Sequence, residues 1–334
     1  MIEGYYLEST DGLLFAVKGL VHPPGAVVAY LRYVPDPDGD REREGVRYRR
    51  LYGFAEQEEV LRKRCPACLF DDPVFGETLQ GVPRGRIRRV YDPCRRLAEL
   101  RGRRDRDELE ERAVEFAALL AEGAGVPEEC IGISGSMLVG LHTPRSDIDL
   151  VVYGSENCRA VHRALQKLLG AGEGGLRGLN EEELRGLHAL RSQDTPMGFE
   201  DFARLEGRKV IQGKFQEREY FIRFVRAPAE VGESYGDRRY TSLGRAEIEA
   251  TVVDAGEAIF TPCAYKIEDV RFVGAQRVAP PPVEIASFRG RFCEQAEEGE
   301  RVRARGKLER VVTKEGKVHH RLLLGQRGDF MVVK

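Results

Sequence analysis

Two aspartates separated by one residue, Asp147 and Asp149, are the side chains of this sequence best suited to bind a metal ion. The apolar run after them predicts a β-strand, and a strand places residues two apart on the same face. Two neighbouring carboxylates repel each other unless a cation lies between them. Because Mg²⁺ prefers oxygen ligands, we expect Mg²⁺ or Mn²⁺ at this pair.

Gly135 and Ser136 precede the aspartate pair by a short loop and predict a phosphate site. A glycine allows a tight turn and the close approach of a phosphate. The hydroxyl of Ser136 is expected to cap a helix over residues 137–141, whose first backbone N–H groups would face an anion. Nucleotidyl transfer requires a phosphate-binding site next to metal-binding carboxylates, and this motif would supply both.

Gly-Ser, ten intervening residues and Asp-x-Asp with apolar neighbours resemble the signature of the DNA-polymerase-beta-like nucleotidyltransferase superfamily. The resemblance covers residues 105–226, and residues 17–25, 29–35 and 258–265 resemble predicted archaeal nucleotidyltransferases. It implies metal-dependent transfer of a nucleoside monophosphate from an NTP, with ATP as the expected donor, and release of pyrophosphate. The implied acceptor is a hydroxyl of an RNA, a protein or a small molecule.

The superfamily also implies a third carboxylate on a later strand, where it activates the attacking hydroxyl. Phe221 stands where an acid is expected. Glu219 shares a strand face with Phe221 and is therefore the first candidate, ahead of Glu217 and Asp254. A structural ion pair is the alternative role for Glu219.

Several basic and polar residues are candidates for binding the nucleotide. Arg145 and Ser146 lie immediately before the aspartate pair, although a solvated loop arginine is an equal alternative for Arg145. The resemblance implies that basic residues bind the triphosphate, and the candidates are Lys209, Lys214 and Arg223. We expect that His142 is not a metal ligand.

The pattern of elements predicts an α+β chain in three parts. Residues 1–104 form a β-rich N-terminal module, and residues 105–226 form a nucleotidyltransferase domain with a mixed sheet. Residues 227–334 contain several short strands with glycine turns, which predict a small barrel or sandwich. The flanking modules would select the acceptor.

Composition favours a globular protein without a membrane partner. The 334 residues are 42% hydrophobic and 32% charged, and no apolar run is long enough to span a bilayer. A signal-peptide pattern is not evident, so the expected location is cytoplasmic. Seven cysteines argue against a disulfide framework. Cys65 and Cys68 have the spacing of a zinc or redox pair, but ordinary free thiols are the favoured interpretation.

Arginine clusters leave a second function open, namely a non-catalytic protein that keeps the transferase fold and binds nucleotide or nucleic acid. Residues 84–104 hold nine arginines, which could follow a nucleic-acid backbone or form a solvated helix face paired with acids from residue 105 onward. The solvated face is favoured. The same alternatives apply to the basic series formed by Arg289, Arg291, Arg301, Arg303, Arg305 and Lys307.

Overall fold

The computed structural model describes residues 1–192, 194–274 and 280–334. Over these residues the chain is α+β, with seven helices and three sheets. It divides into two compact units. Unit 1 comprises Met1–Asp72, Glu77–Arg177 and Ile211–Tyr235, and unit 2 comprises Pro73–Gly76, Gly178–Val210 and Gly236–Lys334. None of the described helices is both long and apolar enough to cross a membrane.

Unit 1 begins with a β-rich segment, as the sequence predicts. Its elements are β1 (Tyr6–Ser9), β2 (Leu14–Val17), β3 (Ala26–Pro35), β4 (Arg41–Arg43), β5 (Val46–Arg50), α1 (Phe54–Arg64), β6 (Leu69–Asp72), β7 (Glu77–Pro83) and β8 (Ile87–Tyr91). The strands form one sheet in the order β4-β5-β3-β2-β1-β8, with β7 bridging β3 and β6. We call it the N-terminal sheet.

Strand β4 lies within residues 36–45, a strongly charged segment of the chain. Glu44 and Gly45 both have positive φ, at 53° and 76°, and join β4 to β5 as a tight hairpin. Two consecutive residues with positive φ give the backbone twist that hairpins favour. The hairpin turn therefore creates strand β4 in a segment whose charged residues do not indicate a strand.

Cys65 and Cys68 were predicted as free thiols, and this prediction is wrong. The two sulfurs are joined as a disulfide, with Cα atoms 5.4 Å apart. A short 3₁₀ turn over Pro66–Cys68 places them side by side, and both residues are buried in the core of the N-terminal sheet. The two thiols are therefore not available as a pair of zinc ligands in this structure.

The rest of unit 1 contains the Gly-Ser and Asp-x-Asp motif. Its elements are α2 (Pro93–Gly102), α3 (Glu108–Ala124), β9 (Ile131–Ile133), α4 (Gly135–Leu138), β10 (Ile148–Tyr153), α5 (Ser155–Ala171), β11 (Leu176–Arg177), β12 (Gln212–Phe215) and β13 (Arg218–Val225). The strands form a mixed sheet in the order β11-β12-β13-β10-β9, which we call the motif sheet. Only β10 and β13 pair in parallel among these strands.

Helix α3 packs its apolar face on the motif sheet, where Phe116 stacks on Phe215 at 4.7 Å between ring centroids. A capping box formed by Asp107 and Glu110 begins the helix. Gly125, with φ of 64°, ends the helix. Gly125 is the residue in the left-handed conformation that a helix end favours.

Most of the predicted N-terminal module and most of the predicted transferase segment lie in the same compact unit, whereas residues 178–210 of that segment belong to unit 2. The hydroxyl of Ser134 donates to the carbonyl of Gly4 at 2.8 Å, and that of Tyr153 donates to the carbonyl of Glu3 at 3.0 Å. Leu138 and Leu141 are buried among tyrosines of the N-terminal sheet, including Tyr33. These contacts are long-range in sequence, which is why the sequence alone suggested a boundary at residue 104.

Unit 2 contains the third sheet and two helices. Its elements are α6 (Glu181–Arg191), α7 (Phe199–Gly207), β14 (Arg238–Glu257), β15 (Cys263–Phe272), β16 (Glu284–Ser287), β17 (Arg301–Thr313), β18 (Val318–Leu324) and β19 (Phe330–Val333). The order is β14-β15-β16-β18-β17-β19, and an additional β14–β17 pairing brings the sheet round towards a barrel. The small barrel is thus the better of the two predicted architectures.

A turn follows β14, at residues 258–260. The backbone N–H of Ala258 donates to the carbonyl of Ala255 at 2.9 Å, and that of Phe260 donates to the carbonyl of Glu257 at 3.3 Å. These groups are satisfied locally and are not used in a ladder. Helix α7 and strand β19 were not predicted.

Candidate functional site in unit 1

Asp147 and Asp149 lie at the start of β10, and Asp147 immediately precedes the strand. Ile148 and Leu150 point to the other face and are fully buried. The alternation therefore holds both carboxylates on one face of the motif sheet, as the sequence predicted. Both aspartates are partly exposed to solvent.

Gly135 lies against Asp149. A Cβ atom built on Gly135 would lie 1.9 Å from Oδ2 of Asp149, and Gly135 has φ of +60°. The backbone N–H of Ser134 also donates to the carbonyl of Asp149 at 2.8 Å. The two halves of the motif are thus in direct contact, and only glycine fits at residue 135 without displacing the carboxylate.

Ser136 was predicted to cap a helix, and this prediction is wrong. The helix is the single turn α4, and its N-cap residue is Ser134, whose hydroxyl bonds to Gly4 and not to the helix. Ser136 is itself the second helical residue and is buried. Its hydroxyl makes no hydrogen bond within residues 1–192, 194–274 and 280–334, and it remains a candidate phosphate ligand.

The carboxyl of Asp149 binds its proton more tightly than an ordinary aspartate. Removal from water and then the neighbouring Asp147 raise its pKa from 3.8 to about 7, against the opposing effects of Arg223, Arg50 and Arg32. Two ionised carboxylates at this distance repel each other, and a divalent cation bound by their oxygen atoms would remove that repulsion. The residues present therefore fit Mg²⁺ or Mn²⁺.

Strand β13 runs beside β10, with Phe221 level with Asp149 and Tyr220 level with Ile148. Glu219 is one residue earlier and is therefore level with Asp147, on the same face as the carboxylate pair. Glu219 is exposed, and no ion pair or hydrogen bond of its side chain occurs in the described part of the chain. Lys214 lies opposite Glu219 on β12. The structural ion pair considered for Glu219 is absent from the described residues.

The weaker candidates for a third carboxylate are engaged elsewhere. Glu217 forms a bidentate ion pair with Arg177, at 2.8 Å and 2.5 Å. Asp254 belongs to unit 2, where it pairs with Lys266 at 2.7 Å. Glu219 therefore remains the predicted third acid.

Arg223 is held by a buried acid. Its Nε lies 3.3 Å from Glu3, whose carboxylate also accepts from Lys18 at 2.6 Å and from the backbone N–H of Gly19 at 2.9 Å. Burial lowers the pKa of Lys18. Glu3 comes from the N-terminal segment, so a residue far away in sequence positions Arg223 beside the motif.

The remaining predicted binding residues are dispersed. Arg145 is exposed in the loop before β10, whereas Ser146 is buried and its hydroxyl accepts from the backbone N–H of Thr143 at 3.0 Å. Lys209 is buried in unit 2, where it pairs with Glu206 at 2.7 Å. The ammonium group of Lys209 is therefore already engaged within unit 2, and Ser146 has a structural contact within its own turn.

Sequence reasoning missed two arginines from the N-terminal sheet, Arg32 and Arg50. Both act electrostatically on Asp149, and Arg50 also interacts electrostatically with Asp147. Arg32 stands out only as a charged residue in an otherwise apolar strand, and Arg50 belongs to a run of basic residues. Neither signal shows that these strands lie beside the motif.

Asp107, Glu110 and His142 form a separate group whose ligand atoms lie within 4.8 Å of one another. His142 bonds to Asp107 at 2.7 Å, while Glu110 is buried and pairs with Arg96 at 3.1 Å and Arg103 at 3.4 Å. Because Asp107 also caps α3 and two arginines already neutralise Glu110, we assign the group to joining the motif loop to the helix. His142 thus has a structural contact.

The arginine-rich segment forms β8 and α2, and not one helix. Most of its arginines are paired, and three of them bind acids from residue 105 onward, as the favoured interpretation expects. The ion pairs are Arg86–Asp11 (3.0 Å), Arg88–Glu8 (3.5 Å), Arg95–Glu99 (3.0 Å), Arg96–Glu110 (3.1 Å), Arg101–Glu128 (3.2 Å) and Arg103–Asp105 (3.1 Å). The segment is therefore largely neutralised.

The basic series of unit 2 is also neutralised. Its partners are Glu247 for Arg303 and Arg305, Glu249 for Arg301, Glu309 for Lys307, and Asp194 for Arg289 and Arg291. Paired charges attract a phosphate backbone less than free ones do. The series therefore gives little support to a nucleic-acid surface.

Comparison with known proteins identifies the family but no activity. No protein-family model matches the chain, and no solved structure matches it. The uncharacterized protein MJ1086 of Methanocaldococcus jannaschii is 31% identical over 328 residues, which cover 96% of this chain and 94% of that protein. The chain therefore belongs to the same protein family as MJ1086.

Proposed function

We propose that unit 1 is a metal-dependent nucleotidyltransferase that moves a nucleoside monophosphate from an NTP to an acceptor hydroxyl. The observation that carries the proposal is the contact of the Gly135 turn with Asp149, since it joins a glycine turn at the start of α4 to a carboxylate pair. The resemblance of the motif to polymerase-beta-like transferases agrees with this arrangement.

Asp147 and Asp149 would hold one or two Mg²⁺ or Mn²⁺ ions. When bound, the metal neutralises charge on the phosphate oxygens and lowers the pKa of the attacking hydroxyl. The backbone turn at Gly135, the hydroxyl of Ser136 and the guanidinium of Arg223 would orient the triphosphate.

Glu219 is proposed to accept the proton of the acceptor hydroxyl. The acceptor oxygen then bonds to the α-phosphorus, the bond between that phosphorus and the bridging oxygen of the β-phosphate breaks, and pyrophosphate leaves. Glu219 is suited to this role because it is exposed, unpaired within the described residues and level with Asp147.

Calorimetric titration with Mn²⁺ tests the proposed metal site. We expect the Asp147→Asn/Asp149→Asn variant to bind Mn²⁺ at least about 100-fold more weakly, because both charged ligands are lost. The matched control is Asp107→Asn/Glu110→Gln, which alters the other acidic group and should leave Mn²⁺ affinity unchanged. If this control loses the metal and the Asp147/Asp149 variant retains it, the proposed site is wrong.

Replacement of Glu219 separates proton transfer from metal binding. We expect Glu219→Gln to lower the transfer rate about 10²–10⁴-fold, the usual contribution of a general base, with Mn²⁺ affinity retained. Glu217→Gln, which removes an acid from the neighbouring turn, should retain activity. Equal rates for wild type and Glu219→Gln would exclude Glu219 as the base.

The alternative is a non-catalytic protein that binds nucleotide or nucleic acid through the same fold. It predicts metal-dependent NTP binding without pyrophosphate release. Pyrophosphate measurements on the wild-type protein with each NTP therefore distinguish the two functions.

A further inference from the structure

Strand β5 ends with an arginine whose charge acts on Asp147 and Asp149, and an exposed tyrosine follows it. Arg50 is the last residue of β5, and Tyr52 follows two residues later. The guanidinium carbon of Arg50 lies 4.9 Å from the ring centroid of Tyr52. Tyr52 is 70% exposed, so one face of a large aromatic ring is open to a ligand.

Arg50 contacts the Tyr52 ring and also acts electrostatically on the carboxylate pair. It lies directly opposite Tyr33 of β3, and its charge acts on Asp147 and Asp149. Its Nε is buried and lacks a hydrogen-bond partner among the described residues. No carboxylate of the described chain lies within ion-pair distance of Arg50.

A β-bulge in β3 lies next to the end of β5 and contains Arg32, whose carbonyl accepts from the backbone N–H of Leu51 at 2.9 Å. Leu14 of β2 pairs with Tyr33 and Phe15 pairs with Leu31, so Arg32 is the additional residue between them. A bulge of this kind re-aims a side chain and is common beside active sites. Arg32 acts on Asp149 electrostatically and has no side-chain ion pair or hydrogen bond in the described chain.

The neighbouring Arg49, by contrast, forms ion pairs with carboxylates of the same unit. It pairs with Asp36 at 2.9 Å and also with Glu56. Arg32 and Arg50 lack such partners, although both are half-buried and their charges act on Asp149. Their arrangement leaves two guanidinium groups available to an anion next to an exposed ring.

We propose that Tyr52, Arg50 and Arg32 form a binding platform for one nucleotide, with its base on the Tyr52 ring and its phosphate on the two arginines. The inference rests on the proposed function, and it adds a substrate-binding role for the N-terminal sheet. Aromatic rings accept any base by stacking, and guanidinium groups bind phosphate through paired N–H donors. The nucleotide is either the NTP donor or the terminal nucleotide of a single-stranded acceptor.

The platform is tested by measuring how two nucleotide probes bind to the whole chain in EDTA, because no turnover is expected without metal. The probes are ATP, followed by calorimetry, and a short fluorescein-labelled single-stranded oligoribonucleotide, followed by anisotropy. We expect Tyr52→Leu to weaken binding of at least one probe about tenfold, the usual effect of losing one stacked base. Arg50→Gln and Arg32→Gln should weaken the same probe and reduce the salt dependence of its binding.

Two matched variants separate recognition from structure. Arg49→Gln removes a paired arginine from the same strand and should change neither affinity by more than about twofold. Tyr52→Phe keeps the ring face and should bind as wild type does. Thermal unfolding of every variant shows whether the N-terminal sheet remains folded.

Weakened ATP binding identifies the platform as the donor site, and weakened oligoribonucleotide binding identifies it as the acceptor site. The inference is overturned if Tyr52→Leu and Arg50→Gln bind both probes as wild type does, or if the wild type binds neither probe. These binding measurements need no metal, so their outcome is independent of the transfer reaction. If the variants lose binding and the wild type shows no nucleotidyl transfer, the platform is supported and the transferase proposal is contradicted.

Discussion

Gly135→Ala is expected to abolish detectable nucleotidyl transfer and to destabilise unit 1 by about 2–4 kcal/mol. The added Cβ would lie 1.9 Å from Oδ2 of Asp149, at a residue whose φ is +60°. The carboxylate must therefore move, and a displacement of about 1 Å at a reacting centre can lower a rate about 10²-fold. Urea unfolding and a transfer assay measure the two effects.

Gly125→Ala is the matched control, because Gly125 has φ of +64° and open space where its Cβ would lie. This variant has the backbone strain of Gly135→Ala without the contact on Asp149. We expect a loss of about 1 kcal/mol and unchanged transfer. Equal destabilisation and equal activity of the two variants would show that the contact between Gly135 and Asp149 has no special role.

Asp149→Asn is expected to stabilise the metal-free protein at neutral pH while it removes activity. Burial and Asp147 raise the pKa of Asp149 to about 7, so the folded state holds this proton more tightly than the unfolded chain. Between pH 4 and pH 7 the wild type therefore loses stability as the pH rises. An amide carries no such charge, and its advantage should grow over this range and level off above pH 7 at about 1–3 kcal/mol.

Denaturant unfolding at several pH values in EDTA measures this difference. Asp38→Asn, which changes an exposed loop carboxylate, is the control and should show no such pH-dependent gain. Added Mg²⁺ should stabilise the wild type and not Asp149→Asn, because the ion binds the folded state with both carboxylates present. A variant that is less stable than wild type at pH 8 in EDTA would contradict this electrostatic description.

The motif could be predicted from the sequence because its information is local. The two aspartates are two residues apart in an apolar strand, and the period of two alone places them on one face. The glycine turn before them has an equally local signal. The single turn of α4 and the contact of Ser134 with Gly4 could not be predicted in this way, since Gly4 is remote in sequence.

The contributions of the N-terminal sheet to the site depend on tertiary structure. Arg32 and Arg50 are brought together because β3 and β5 pair and Arg32 lies at a bulge of β3, whereas Glu3 reaches Arg223 from the segment before β1. Conversely, the arginine clusters were conspicuous in the sequence, but acids from distant segments, such as Asp11 and Glu128, neutralise several of them. Charge density in a sequence therefore says little about free charge until the partners are known.

Incubation with NTPs radiolabelled at the α-phosphate tests the central proposal most directly. The wild-type protein is supplied with Mg²⁺ or Mn²⁺ and with separate pools of RNA, protein and small molecules, beside the Asp147→Asn/Asp149→Asn variant and NTPs labelled at the γ-phosphate. We predict α-label in one acceptor pool with wild type alone, and no γ-label in any pool. Failure of every NTP to label any pool, despite metal-dependent NTP binding by the wild type, would contradict the transferase proposal and favour a binding protein.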